Sequence, residues 1–198
     1  MKRVVILLSV FVCMAFNVFA FSFQPKVSPI VVTADVGLFG NNGIDIGAAL
    51  GMDFMFTDHL GFGLDTYFTS PVFALGGMIP VDESNKYAYN IAEHDNLAFK
   101  IFTLPSFIIK ESDKIKGPAK VGLGLLVNYQ NIEKINVVTL GVSGTFGYEH
   151  NFTDHVGIDY GWFTALHIYE FAWTQWKSHN FFPLILTTGG SAWIKFKF

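Results

Sequence analysis

Residues 44–56 read IDIGAALGMDFMF. Ile44, Ile46, Ala48, Leu50, Met52, Phe54 and Phe56 fall on one parity, and Asp45, Gly47, Ala49, Gly51 and Asp53 on the other. A period of two belongs to a strand, whose successive Cβ atoms point to opposite faces, while a helix repeats every 3.6 residues. The pattern returns in LGFGLDTYF (60–68), AKVGLGLLVNYQ (119–130), NVVTLGVSGTFGYEH (136–150), VGIDYGWFTALHI (156–168) and LILTTGGSAWIKFKF (184–198). Shorter runs from Ile30 to Phe39 and from Leu97 to Ile109 fit a first and a fourth strand. The expectation is eight strands with a bulky apolar face and a face of small or charged residues.

A soluble barrel of lipocalin type would put the large apolar side chains inward and polar ones in water. Here the second face is mostly Gly, Ala and Thr with few lysines, which suits a crowded lumen, and the Phe/Leu/Ile/Val face suits lipid. Composition agrees: of 198 residues 51% are hydrophobic, 17% aromatic and only 15% charged, against ~25% charged in soluble domains. No apolar run of membrane-helix length lies beyond the first twenty residues. The fold class expected is therefore all-β, an eight-stranded antiparallel transmembrane β-barrel of the bacterial outer membrane. Closure leaves no unpaired backbone edge in hydrocarbon, where each unsatisfied group costs several kcal/mol.

Residues 1–20 read as a signal peptide, with Lys2 and Arg3 as the positive n-region, Val4 to Phe16 as the apolar h-region and Val18-Phe19-Ala20 as the cleavage site. The single barrel domain is then residues 21–198. Acylation of Cys13 is the rival reading, although Val12 before it is not small. Removing Lys2 and Arg3 from 13 cations leaves 11 against 16 acids, a net charge of −5. That balance gives no basic face for nucleic acid.

Tight turns are expected at Thr57-Asp58-His59, at 111–118 and at Thr153-Asp154-His155, facing the periplasm. Outer connections are expected at 41–43, 74–96, 131–134 and 170–183. FTDHLG (56–61) recurs as FTDHVG (152–157), and both copies join one alternating run to the next.

Eight strands enclose a lumen that side chains nearly fill, so a wide aqueous pore is excluded by size. By parity, Asp53, Lys120, Glu149, Asp159 and Lys195 share the periplasmic part of the lumen, as a salt-bridged plug or an ion path. Toward the outer end Phe39, Tyr67, Phe102, Phe163 and Tyr169 point inward with Asp35, Asp45 and Lys100. That set is either an aromatic-lined cup for a small molecule or simple lumen filler. Pro71 and Pro105 each lack a ladder donor and place a weakened seam between the third and fourth strands, read as a sideways exit or as a bulge. Ser178-His179 and His94 fall in outer connections without a base-orienting partner, so no catalysis is expected. His59, His155 and His167 show no metal spacing, and no metal or cofactor is expected. The last residues end on Phe196 and Phe198, which are similar to the terminal signal read by the outer-membrane barrel assembly machinery.

FMFTDHLGFGLDTYFTSPVF (54–73) resembles the second hairpin of the outer membrane protein W family, with Thr57, Asp58, Gly61 and Pro71 matching its pattern. Leu104-Pro105 and KGPAKVGLGLLVNY (116–129) resemble it too. The stretch between Pro105 and the following turn is shorter than in that family, and the first outer loop is only a few residues long. The resemblance implies an eight-stranded outer-membrane barrel with an apolar channel that takes up small hydrophobic molecules passively. Its partners would be outer-membrane lipids and those solutes. The alternative is a structural or adhesive surface barrel acting through its loops.

Overall fold

The computed structural model describes residues 22–37, 42–74, 99–110, 119–132, 135–173 and 178–198. Nine strand segments follow in order: β1 (Ser22–Gly37), β2 (Gly43–Met55), β3 (Leu60–Ala74), β4 (Phe99–Lys110), β5 (Ala119–Ile132), β6 (Ile135–Asn151), β7 (Val156–Trp173), β8 (Ser178–Phe181) and β9 (Ile185–Phe196). Each pairs antiparallel with its neighbour from β1 to β7, β7 pairs with β9, and β9 returns to β1, closing an eight-stranded barrel. β8 and β9 are two pieces of the eighth strand. β9 pairs with β7 as far as His167↔Ile185, and β8 resumes at Glu170↔Phe181. Pro183 and Leu184, the latter with φ 45°, lie in the break between them.

The alternation decides which face each residue takes. Leu50, Val72, Phe107, Leu123, Leu125 and Trp162 are among the large apolar side chains exposed on the outside. Threonines on that face pair their hydroxyls across strands, Thr66 with Thr103 and Thr164 with Thr188, each at 3.2 Å. Such pairing gives each hydroxyl a partner where hydrocarbon offers none. Outward aromatics gather toward both ends. Phe23 and Phe54 meet at the turn end, as do Tyr148 and Tyr160, while Tyr169 meets Phe182 and Phe171 meets Trp173 at the other. Two aromatic bands around an apolar waist are the exterior of a membrane barrel.

β1 begins at Ser22, eight residues before the start expected from its pattern. A bulge between Ser28 and Val31, where Ser28 Oγ donates to the Ile30 carbonyl at 2.8 Å, shifts the alternation by one. Lys26 and Ser28 before it and Val31 and Thr33 after it all face inward. The connection expected at 170–183 is also shorter than its reading, because β7 runs to Trp173 and β8 pairs with it.

The two Thr-Asp-His turns are built alike. Thr57 Oγ1 accepts from the His59 and Leu60 N–H groups at 3.2 and 2.9 Å, and Thr153 Oγ1 accepts from His155 and Val156 at 3.2 and 3.0 Å. The His59 carbonyl accepts the Lys110 N–H at 2.8 Å, as that of His155 accepts the Lys197 N–H at 2.9 Å. Each turn thereby holds the end of the strand beside it.

Candidate functional site

The lumen is filled in three layers. Nearest the turns, Asp53 lies among three lysines: Lys26 at 3.0 Å, Lys120 at 2.7 Å and Lys195 at 3.1 Å. Lys26 also meets Asp65 at 2.7 Å, Lys120 meets Asp159 at 2.9 Å, and Lys195 meets Glu149 at 2.8 Å and Asp159 at 3.2 Å. Lys110 and Lys197 reach Glu149 at 2.6 Å each. The five residues expected from parity are brought together, with Lys26, Asp65, Lys110 and Lys197 added. Asp53 and Lys195 are fully buried. An ion removed from water costs several kcal/mol, which is offset only when opposite charges alternate closely, as they do here.

Above this network lies an aromatic layer. Tyr67 stacks on Phe102, centroids 4.5 Å apart and planes within 5°, and Phe163 lies 4.8 Å from Tyr67 and 5.6 Å from Phe102. Trp193 meets Tyr67 edge-on at 5.7 Å, and Lys26 Nζ sits 4.7 Å over its ring, tying the two layers together. Val31, Ala49, Leu104, Leu126 and Ala165 complete one buried cluster with these rings. Tyr67, Phe102 and Phe163 thus sit at mid-lumen in contact with each other, where parity had suggested the wall of an outer cup. Trp193 went unremarked in the sequence, although the outward parity of Ala192 and Ile194 points it inward. A cavity of about 30 Å³ bordered by Lys26, Asp65, Tyr67, Lys120, Asp159 and Trp193 lies between the layers. It has room for about two waters.

The outer layer is polar. Lys100 Nζ meets Asp35 at 2.6 Å and Asp45 at 3.3 Å, so the three charges expected there do converge. His167 and Glu170 join them, both buried. His167 does so by the unbroken alternation from Phe163, and Glu170 because β7 bulges at Ile168: Leu140 pairs with Tyr169 but Gly141 pairs with His167. A Cβ on Gly141 would run into the Leu166 carbonyl, so only glycine permits this approach. The same bulge turns Tyr169 outward, 37% exposed, which corrects its expected inward place. Phe39 and His94 lie outside the described residues, and Ser178 is exposed.

The weakened seam between β3 and β4 is also corrected. Their ladder runs unbroken from Leu60↔Ile109 to Thr69↔Lys100. Pro105 is bridged to Leu64 in that ladder, while the β4–β5 ladder skips Leu104 and Pro105. The Pro105 carbonyl lies against Gly124 of β5, so its missing donor falls on the β5 side. Pro71 is opposite Asp45 of β2 beside a one-residue bulge, beyond the last β3–β4 pair. Proline is tolerated at such places because no ladder hydrogen bond is asked of it.

No family model matches the chain, and no curated protein matches it. Solved structures of similar fold include Neisserial surface protein A (TM-score 0.61, 13% identity, covering 90% of this chain and 97% of that one). The outer membrane protein AlkL in lipid bilayers gives a TM-score of 0.61 at 6% identity, covering 89% and 90%. OprG from Pseudomonas aeruginosa gives 0.55 at 9%, covering 91% and 97%. The likeness is one of fold. With the apolar exterior and its aromatic bands, it makes the chain a small eight-stranded barrel of the bacterial outer membrane, in contact with the lipid bilayer.

Proposed function

We propose that the protein is a non-conducting surface barrel that acts at its outer end, with a lumen that serves as a structural plug. The observation that supports this reading is the contact of the Tyr67, Phe102, Phe163 and Trp193 rings across mid-lumen, underlain by the ion-pair network. Apolar rings at that level oppose hydrated ions, and paired charges beneath them oppose apolar solutes. The reading includes no catalytic role. Planar-bilayer recording tests it. The parent protein is expected to give no discrete conductance steps, and Phe102→Ala with Tyr67→Ala is expected to introduce them. Steady steps from the parent protein overturn the reading.

A second reading, passive uptake of small hydrophobic molecules, is supported by the resemblance to the W family and by the wall break at residues 182–184, level with the outer layer. A solute taking that route would leave sideways into the bilayer without crossing the plug. Uptake of an apolar dye into proteoliposomes that conduct no ions would select this reading over the first.

Both readings need assembly by the outer-membrane machinery, for which Phe196 and Phe198 are the proposed terminal signal. Phe196 faces outward, and the Phe198 N–H donates to the Phe23 carbonyl at 3.3 Å, where the last strand meets the first. Deleting Phe198 is expected to lower the amount of heat-modifiable barrel in the outer membrane. An undiminished amount overturns the assignment.

A further inference from the structure

The outer layer ends two hydrogen-bond relays on bare acceptors. Thr187 Oγ1 donates its one proton to Asp35. His167 Nε2, 2.7 Å from that oxygen, must therefore be the donor of their bond. In the neutral ring this leaves His167 Nδ1 as an acceptor, and it is buried without a partner. In the same way Thr139 Oγ1 donates to Glu170 at 3.4 Å, and Asn128 Nδ2 donates to Thr139 at 3.5 Å. Asn128 Oδ1 is then left buried with no partner. His167, Asn128 and Glu170 are each no more than 3% exposed.

The register makes this one place. Thr139 lies opposite both Asn128 and Glu170, and Gly141, the next inward position on β6, lies opposite His167. Charge points the same way as the free acceptors. Among the described residues Asp35, Asp45 and Glu170 share this layer with one ammonium, Lys100, which is already held by the two aspartates. Glu170 has no ion-pair partner among those residues. A buried carboxylate without a cation is costly, and an ionisable group at membrane depth is by default a functional candidate. Directly across from Asn128 is Phe102, the top of the aromatic layer. Lys100 Nζ already lies 5.6 Å from the centroid of that ring, so the ring offers a ligand apolar contact while the carboxylate and amide oxygens hold its ammonium. No three of the described His, Asp and Glu side chains are arranged to hold a metal ion.

We propose that the outer lumen is a binding site for a small organic cation. The ligand's ammonium group donates to Glu170 and Asn128 Oδ1, and its hydrocarbon part lies toward Phe102. The site rests on the luminal geometry alone and holds under either reading of the protein's function.

The test is an amide NMR titration of the refolded full chain in detergent micelles with n-butylammonium chloride, and with 1-butanol as the uncharged control. Saturable shifts are expected around residues 128, 139, 167 and 170 with the ammonium only. Glu170→Gln, nearly the same shape without the charge, is expected to weaken the binding at least tenfold. Should that variant fail to fold, Asn128→Leu, which removes the free acceptor, is expected to give a comparable loss. Shifts common to butylammonium and butanol, which signal partition into the micelle, overturn the site. So does unchanged affinity in the folded variant.

Discussion

The two charged layers of the lumen obey different rules. Near the turns Lys26, Lys110, Lys120, Lys195 and Lys197 meet Asp53, Asp65, Glu149 and Asp159, five cations to four anions, and Asp53 alone touches three lysines. In the outer layer Lys100 serves two aspartates, and Glu170 rests on one long hydrogen bond from Thr139. A saturated network is a structural element, because every ion in it meets at least one counter-ion. An unsaturated one leaves acceptors open, as the proposed cation site requires.

The largest effect that follows from this contrast is in the saturated layer. Asp53→Ala leaves Lys26, Lys120 and Lys195 without the carboxylate they share. The expected loss is about 3–5 kcal/mol, the cost of stranding buried charge. Urea unfolding in lipid vesicles measures it, and a loss below ~1 kcal/mol would remove the distinction between the layers. A smaller effect belongs to the turns that carry this layer's strands. Thr57→Ala removes the acceptor of two N–H groups and is expected to cost about 1 kcal/mol, read in the same assay. The smallest concerns the unsaturated layer, where Glu170→Gln removes a charge that has no counter-ion. It is expected to leave stability unchanged or slightly raised, and a loss as large as that of Asp53→Ala would mean that Glu170 is as fully paired as Asp53.

Much of this arrangement is legible in the sequence because alternation fixes the face of a residue for as long as the strand stays regular. Asp53, Tyr67, Phe102, Lys120 and Phe163 lie on unbroken runs and fell on the correct side. Tyr169 did not, since it lies beyond a bulge that shifts the phase by one, and Lys26 lay outside the run read as the first strand, ahead of another such bulge; nothing in the side-chain pattern marks where a strand takes an extra residue. Pro25 and Pro29 further hid the start of β1. The prolines of β3 and β4 show a second limit. That a donor is missing can be read from the residue type, but whether the gap faces the strand before or the strand after depends on hydrogen-bond parity, which the side chains do not encode. Glu170 was hidden because it lies past the bulge and in a stretch that reads as a connection.

The paired Thr-Asp-His turns carry a further consequence, an approximate two-fold symmetry of the barrel about its own axis. Adding 96 to the residue number carries Thr57 to Thr153, Gly51 to Gly147, Asp53 to Glu149 and Tyr67 to Phe163. The ladders agree: Lys26 is paired with Gly51 as Lys120 is with Gly147, and Lys110 and Lys197 hang from equivalent histidine carbonyls. The lysines of the plug thus arrive as two equivalent couples, with Lys195 as the odd cation at the centre. Asp65 and Asp159 break the pattern, since the symmetry sends them to Gly161 and Gly63. Each half of the molecule is therefore an internal control for the other, in which one motif is held in two environments that differ in where a carboxylate sits and in the presence of Lys195.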